Sequence, residues 1–178
     1  MKRYVVSIIV LLLFPSCLHV ISKENLEDSI TGIPFREVTQ NAEGYLNRKF
    51  IFGGIIAETM NGREGSEIEI VQTPIDRWGN VVARDISEGR FIVAVKRYLD
   101  PLIFRAGREI TISGVLIGTQ RKMLGGVDYT YPVFEAREIR LRPEELYYPY
   151  PVWREPLYYP YPYYWYDPFR NKPFHYPY

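Results

Sequence analysis

An all-β domain closed as a small barrel is the fold class that this sequence predicts. Three observations carry that expectation. Strand-length runs rich in Ile, Val and Phe recur between residues 50 and 141, separated by turn signals. Glycines stand inside several of these runs, where a strand must bulge or bend sharply. Little of the remaining chain carries a helical pattern.

The elements follow in order. Phe50 to Thr59 is rich in Phe and Ile and has Gly53-Gly54 in its interior, read as a corner; Asn61-Gly62 then gives a strong hairpin signal. Glu67-Ile68-Glu69-Ile70 alternates cleanly, with isoleucines on the core side and glutamates read as a solvated face. Pro74 ends that run and Trp78-Gly79-Asn80 supplies the next turn. Gly89 to Arg97 places Phe91, Val93 and Val95 on one face before Asp100-Pro101 breaks it. Asp100 reads as a turn or cap residue, because a short carboxylate satisfies local backbone donors. Leu102 to Gly107 reads as a short helical or turn connection.

Glu109 to Thr119 is a longer strand, with Ile110, Ile112 and Leu116 on one face and Gly114 placed for a bend. Gly125-Gly126 turns the chain into Val127–Leu141, where Pro132 indicates an edge position or a bulge. Five or six strands with glycine corners point to an OB-like barrel. Upstream, Pro34 followed by Arg36–Tyr45 suits a short helix, with Pro at its first turn and Gly44 near its end.

The two ends differ from this middle. Lys2 and Arg3, then the apolar run Val5 to Phe14 broken only by Ser7, then Ser16 before Cys17, make the three parts of a secretory signal. Cys17 is the only cysteine in the 178 residues, so no internal disulfide is available to it. An exported chain with one thiol just after the apolar run fits lipid modification, with cleavage between Ser16 and Cys17. Phe14 and Pro15 depart from the usual lipid-attachment pattern of a small aliphatic residue and a small residue. An uncleaved helix from Tyr4 to Ile21 and cleavage by the ordinary signal peptidase therefore stay open as alternatives. At the other end, residues 147–178 hold 11 of the 16 tyrosines and 8 of the 14 prolines, a composition that excludes helix and strand interiors and favours extended polyproline II or disorder.

The expected organisation is thus a signal peptide over 1–16, a lipidated tether with room for a short helix over 17–44, a β-barrel over 45–142 and a Tyr/Pro-rich tail over 143–178. No catalytic residue, metal site or cofactor is expected. The only histidines, His19 and His175, lie at opposite ends, so neither a zinc site nor a Ser-His-Asp set can be drawn from the domain. A net charge of +1, with basic residues scattered among acids, gives no footprint for nucleic acid. The expected partners are the membrane, through covalent lipid on Cys17, and peptidoglycan, lipopolysaccharide or another envelope protein, with Trp153 and Trp165 as contact aromatics in the tail.

Phe50 to Leu141 resembles the Slp family of outer-membrane lipoproteins. The likeness is carried by Phe52-Gly53-Gly54-Ile55-Ile56, Glu67-Ile68-Glu69-Ile70-Val71-Gln72 with Pro74-Ile75-Asp76, and Gly89-Arg90-Phe91. It continues through Tyr98-Leu99-Asp100-Pro101 with Phe104 and Gly107, Thr111-Ile112-Ser113-Gly114 with Gly118, and Tyr129-Thr130-Tyr131-Pro132-Val133. The resemblance implies an OB-like barrel, an outer-membrane address in a Gram-negative cell and a link to starvation or stationary phase. It implies no catalytic residue. Leu18, rather than Asp, after Cys17 agrees with sorting to the outer membrane.

Overall fold

The computed structural model describes residues 19–144. Five strands make the barrel: β1 (Lys49–Asn61), β2 (Ser66–Thr73), β3 (Arg90–Val95), β4 (Glu109–Leu124) and β5 (Val127–Leu141). They close in the order β1-β2-β3-β5-β4. The β3–β5 pair is parallel and the other pairs are antiparallel. A closed five-stranded barrel of this order is of OB type.

Alternation builds the core. In β2 every second residue from Ser66 to Gln72 is buried, so Ile68 and Ile70 point inward between glutamates that point outward. Phe91, Val93 and Val95 of β3, Ile110, Ile112 and Leu116 of β4, and Phe134 of β5 join Phe50, Phe52 and Ile56 of β1 in one cluster. Each such side chain contributes about 1.5–3 kcal/mol relative to exposure. Phe50, Phe52, Phe91 and Phe134 meet mostly edge-on at ring separations of 5.6–6.2 Å, with Phe50 and Phe52 stacked.

Two helices precede the barrel, α1 (Lys23–Glu27) and α2 (Phe35–Gln40), followed by a 3₁₀ turn over Ala42–Tyr45. The helix expected over 36–45 is thus shorter, and Pro34 stands at its N-cap. Helix α2 inserts Phe35 and Val38 into the barrel core, and the Phe35 ring meets Phe52 at 5.2 Å and Phe91 at 5.5 Å. Residues 19–44, read from sequence as a tether, therefore fold against the barrel from Ile21 onward, itself 1% exposed. A tether needs no apolar stripe, and Ile21, Phe35 and Val38 supply one too sparse to register as a pattern.

Two further differences are physical. Gly53-Gly54 marks close approach: a Cβ on Gly54 would overlap the Val71 carbonyl oxygen, while the bulge in β1 falls later, between Ile56 and Glu58. The β4–β5 hairpin is longer than expected and outruns its neighbours. β1 pairs with β4 only as far as Val115, and β3 pairs with β5 only from Val133, so residues 117–132 form a two-stranded arm. Pro132 sits where that arm begins, on the edge that β3 leaves unpaired. The chain divides at Pro143/Glu144.

Candidate functional site

The face of an OB barrel that takes ligands is the outside of β2 and β3, between the β1–β2 and β4–β5 loops. A groove of about 490 Å³ lies there. Its floor is Met60, Ala94, Val95 and Ile117, and its rim is the Gly62–Gly65 turn with Glu67, Lys96 and Glu135. The turn is closed by the Gly62 N–H on the Gly65 carbonyl at 2.8 Å, and the Ser66 hydroxyl ties it to Asn61 and to the Arg97 carbonyl. The rim charges answer one another. Lys96 and Arg137 both pair with Glu135, and Lys122 reaches Glu67 at 3.0 Å. The Lys96 contact holds the Glu135 carboxyl below its ordinary pKa.

Beside the groove the arm folds its aromatics onto the sheet. Glu69 is paired with Arg90 at 2.7 Å, and the buried Tyr131 hydroxyl donates to the same carboxylate oxygen at 3.3 Å. Burial, then the Glu69 charge, push the Tyr131 phenol above its ordinary pKa and keep it a donor. Tyr129 packs on Tyr131 at 4.6 Å and accepts the Arg90 N–H at 2.8 Å. Gly89 permits this, since a Cβ there would meet the Tyr129 oxygen at 2.5 Å. Of the two glutamates expected on a solvated face, Glu69 is covered, while the Glu67 side chain stays 44% exposed beside Lys122. The register of β2, β3, β4 and β5 brings Arg90 and Tyr131 onto Glu69 and Lys122 onto Glu67.

The remaining acids of interest are structural. Asp100 accepts the Leu102 N–H at 2.9 Å and caps the turn after β3. Asp76 accepts the Trp78 and Asn80 N–H groups at 2.8 and 2.9 Å. Burial works to raise its pKa, but these bonds outweigh it and hold the carboxyl below its ordinary value. Among the described residues no group of three metal-ligating side chains occurs, and no helix is long and apolar enough to cross a membrane.

The start of the domain is latched to its last strand. The Ser22 N–H and hydroxyl and the Asn25 amide all donate to Glu138 Oε2, at 3.0, 2.6 and 2.9 Å, while Arg140 Nε donates to Oε1 at 2.8 Å. Burial would raise the Glu138 pKa; the four donors overcome it and lower it from 4.5 to about 2. A depressed carboxyl stabilises the fold above its unfolded pKa, and that contribution is lost as pH falls from 4.5 towards 2. After discounting for solvent screening it is worth about 1–2 kcal/mol. Stability measured from pH 7 downwards is expected to fall more steeply in this window for the native chain than for Glu138→Gln. Equal slopes would show that the latch does not titrate with folding. On the other side of this segment, Val20 N–H donates to the Trp78 carbonyl at 2.8 Å, and a cleft of about 660 Å³ opens beside His19, with Ile33, Ile75 and Ile86 in its walls.

Ser16 and Cys17, the expected cleavage and lipid-attachment residues, and the tail aromatics Trp153 and Trp165 lie outside the described residues. Sequence reasoning did not find the groove, the Tyr129–Tyr131 cover or the Ser22–Glu138 latch. Each is assembled from strands distant in sequence, and only the tyrosines in the stretch 129–133 gave a local signal.

The fold is thus a closed OB-type barrel with an aliphatic groove and paired charges on its β2–β3 face. The chain belongs to the outer membrane lipoprotein Slp family, whose model matches residues 14–170. It is 32% identical over 104 residues to an uncharacterized protein of Haemophilus influenzae, covering 56% of this chain and 55% of that one. It is 27% identical over 92 residues to the uncharacterized lipoprotein YeaY of Escherichia coli K12, covering 52% and 47%. To the outer membrane protein Slp of that organism it is 26% identical over 87 residues, covering 49% and 46%. The chain spans about half the length of these curated relatives. Among solved structures, a single-stranded DNA-binding protein of Streptomyces coelicolor is similar at 15% identity and a TM-score of 0.35, covering 54% of this chain and 94% of that one. The yeast mitochondrial single-stranded DNA-binding protein Rim1 is similar at 17% and 0.33, covering 52% and 92%. At those scores the likeness carries nothing over to this chain. The protein is an outer-membrane lipoprotein of the cell envelope, associated with the membrane.

Proposed function

We propose that this protein is a non-enzymatic envelope lipoprotein, anchored by lipid on Cys17, whose barrel binds or supports another envelope component. The observation that carries the reading is the pairing of acids on the barrel's ligand face. Glu67, Glu69 and Glu135 each hold a cation of the same chain, so the face offers contact surface instead of a reactive carboxylate. Lipid on the lone cysteine supplies the anchor, at about 0.8 kcal/mol per buried methylene, and more than one acyl chain makes it lasting. In cells, Cys17→Ala is expected to lose fatty-acid labelling and leave the membrane fraction. Retention in the membrane with unchanged mass would overturn the anchor.

A second reading is favoured by the groove: the barrel binds a cell-wall oligosaccharide, with the aromatic tail as part of the site. The apolar floor of Met60, Ala94 and Ile117 suits the apolar faces of sugar rings. The soluble Cys17→Ala protein allows the titration. Cell-wall oligosaccharides are expected to shift the resonances of these residues, and the absence of any shift would remove this reading in favour of a supporting role. The link to starvation stays part of the proposal and rests on the family alone.

A further inference from the structure

We propose that the hairpin carrying Trp78, with the cleft beside it, is the membrane-apposed face of the barrel, and that Trp78 seats in the phospholipid headgroup layer. The inference rests on the reading of Cys17 as the lipid anchor. Two peptide units separate Cys17 from His19, so their Cα atoms lie within about 7 Å of one another by covalent geometry alone. From His19 onward the chain has no slack. Val20 is hydrogen-bonded to the Trp78 carbonyl, Ile21 is buried, and Ser22 is held by Glu138. An anchor so short fixes which part of the domain meets the bilayer: the part around residues 19–21.

That part is the Trp78 hairpin. Gly79 lies against the His19 ring, where a Cβ would come within 3.0 Å of it, and the Gly79 carbonyl accepts the buried Thr111 hydroxyl at 2.6 Å. Asp76 fixes the turn through the Trp78 and Asn80 N–H groups. The hairpin is therefore a rigid mount, yet it leaves Trp78 39% exposed and Ile86, in the wall of the adjoining cleft, 58% exposed. Arg77 lies over the indole at 4.0 Å. An indole with a guanidinium beside it matches a headgroup layer, with the ring among glycerol and carbonyl groups and the cation on phosphate. The Gly62–Gly65 turn and its groove lie at the opposite end of β2, whose eight residues span about 25 Å. The groove then faces away from the leaflet that holds the anchor.

The test uses the full lipidated chain with Trp153→Phe and Trp165→Phe, leaving Trp78 as the sole tryptophan, reconstituted into phosphatidylethanolamine–phosphatidylglycerol vesicles. Lipids brominated near the top of the acyl chains are expected to quench Trp78 emission about twofold, with a blue shift. A partner variant, Trp78→Phe with Arg63→Trp, reports from the far turn and is expected to stay unquenched. Protein that floats with the vesicles while Trp78 is unquenched, or while both positions are quenched alike, overturns the orientation and leaves the anchor intact. Protein that does not float overturns the anchor, and this proposal with it.

Discussion

Phe35→Ala is expected to destabilise the domain by about 3–5 kcal/mol, the usual cost of emptying a large buried aromatic site. Phe35 is 2% exposed and belongs to the helix that precedes the barrel, but its ring contacts are with Phe52 of β1 and Phe91 of β3. Its removal leaves a cavity that the barrel cannot collapse to fill, because the surrounding strands are fixed by a closed hydrogen-bonded ladder. A domain of this size holds on the order of 5–15 kcal/mol in total. Urea or thermal unfolding of the Cys17→Ala background should show a large loss, and a change under 1 kcal/mol would mean that the helix rests on the barrel without completing it.

Gly54→Ala should be comparably severe, about 3 kcal/mol or more, although it adds a single methyl group. The new Cβ would overlap the Val71 carbonyl oxygen and stand 2.5 Å from Ile70 Cγ2. The first obstacle is backbone of the paired strand, so no side-chain rotation relieves it; β1 and β2 must separate where Gly54 opposes Gln72. Gly53 is a useful contrast, since its obstacle is the Ile75 side chain, which can turn away. If alanine at 53 proves costlier than at 54 in the same unfolding assay, close approach of β1 to β2 is not what the glycine serves.

The strands were legible because alternation reports directly on a half-buried ladder. Glu67-Ile68-Glu69-Ile70 and Ile110–Leu116 showed their inward faces without help from any other part of the chain. Helix α2 was legible as a helix through Pro34, but its role was not: a six-residue segment buries only Phe35 and Val38, too few for a periodic signal. The polar partners were hidden for a different reason. That Glu69 meets Arg90 and Tyr131 depends on the register of three strands, and that Glu138 meets Ser22 depends on closure of the whole barrel. Local spacing carries neither. The anchor has the opposite character: Cys17 stands out by composition alone, and nothing about the barrel is needed to notice it.

The bond between Ser22 and Glu138 joins residues 116 apart in the chain. For a polypeptide that crosses a membrane N-terminus first, this separation is an interval of time. Ser22 emerges early but has no carboxylate partner until Glu138 of β5 has followed. Contacts of such long range also make folding slow, because the loop entropy is spent before they form. The Ser22 latch therefore closes last.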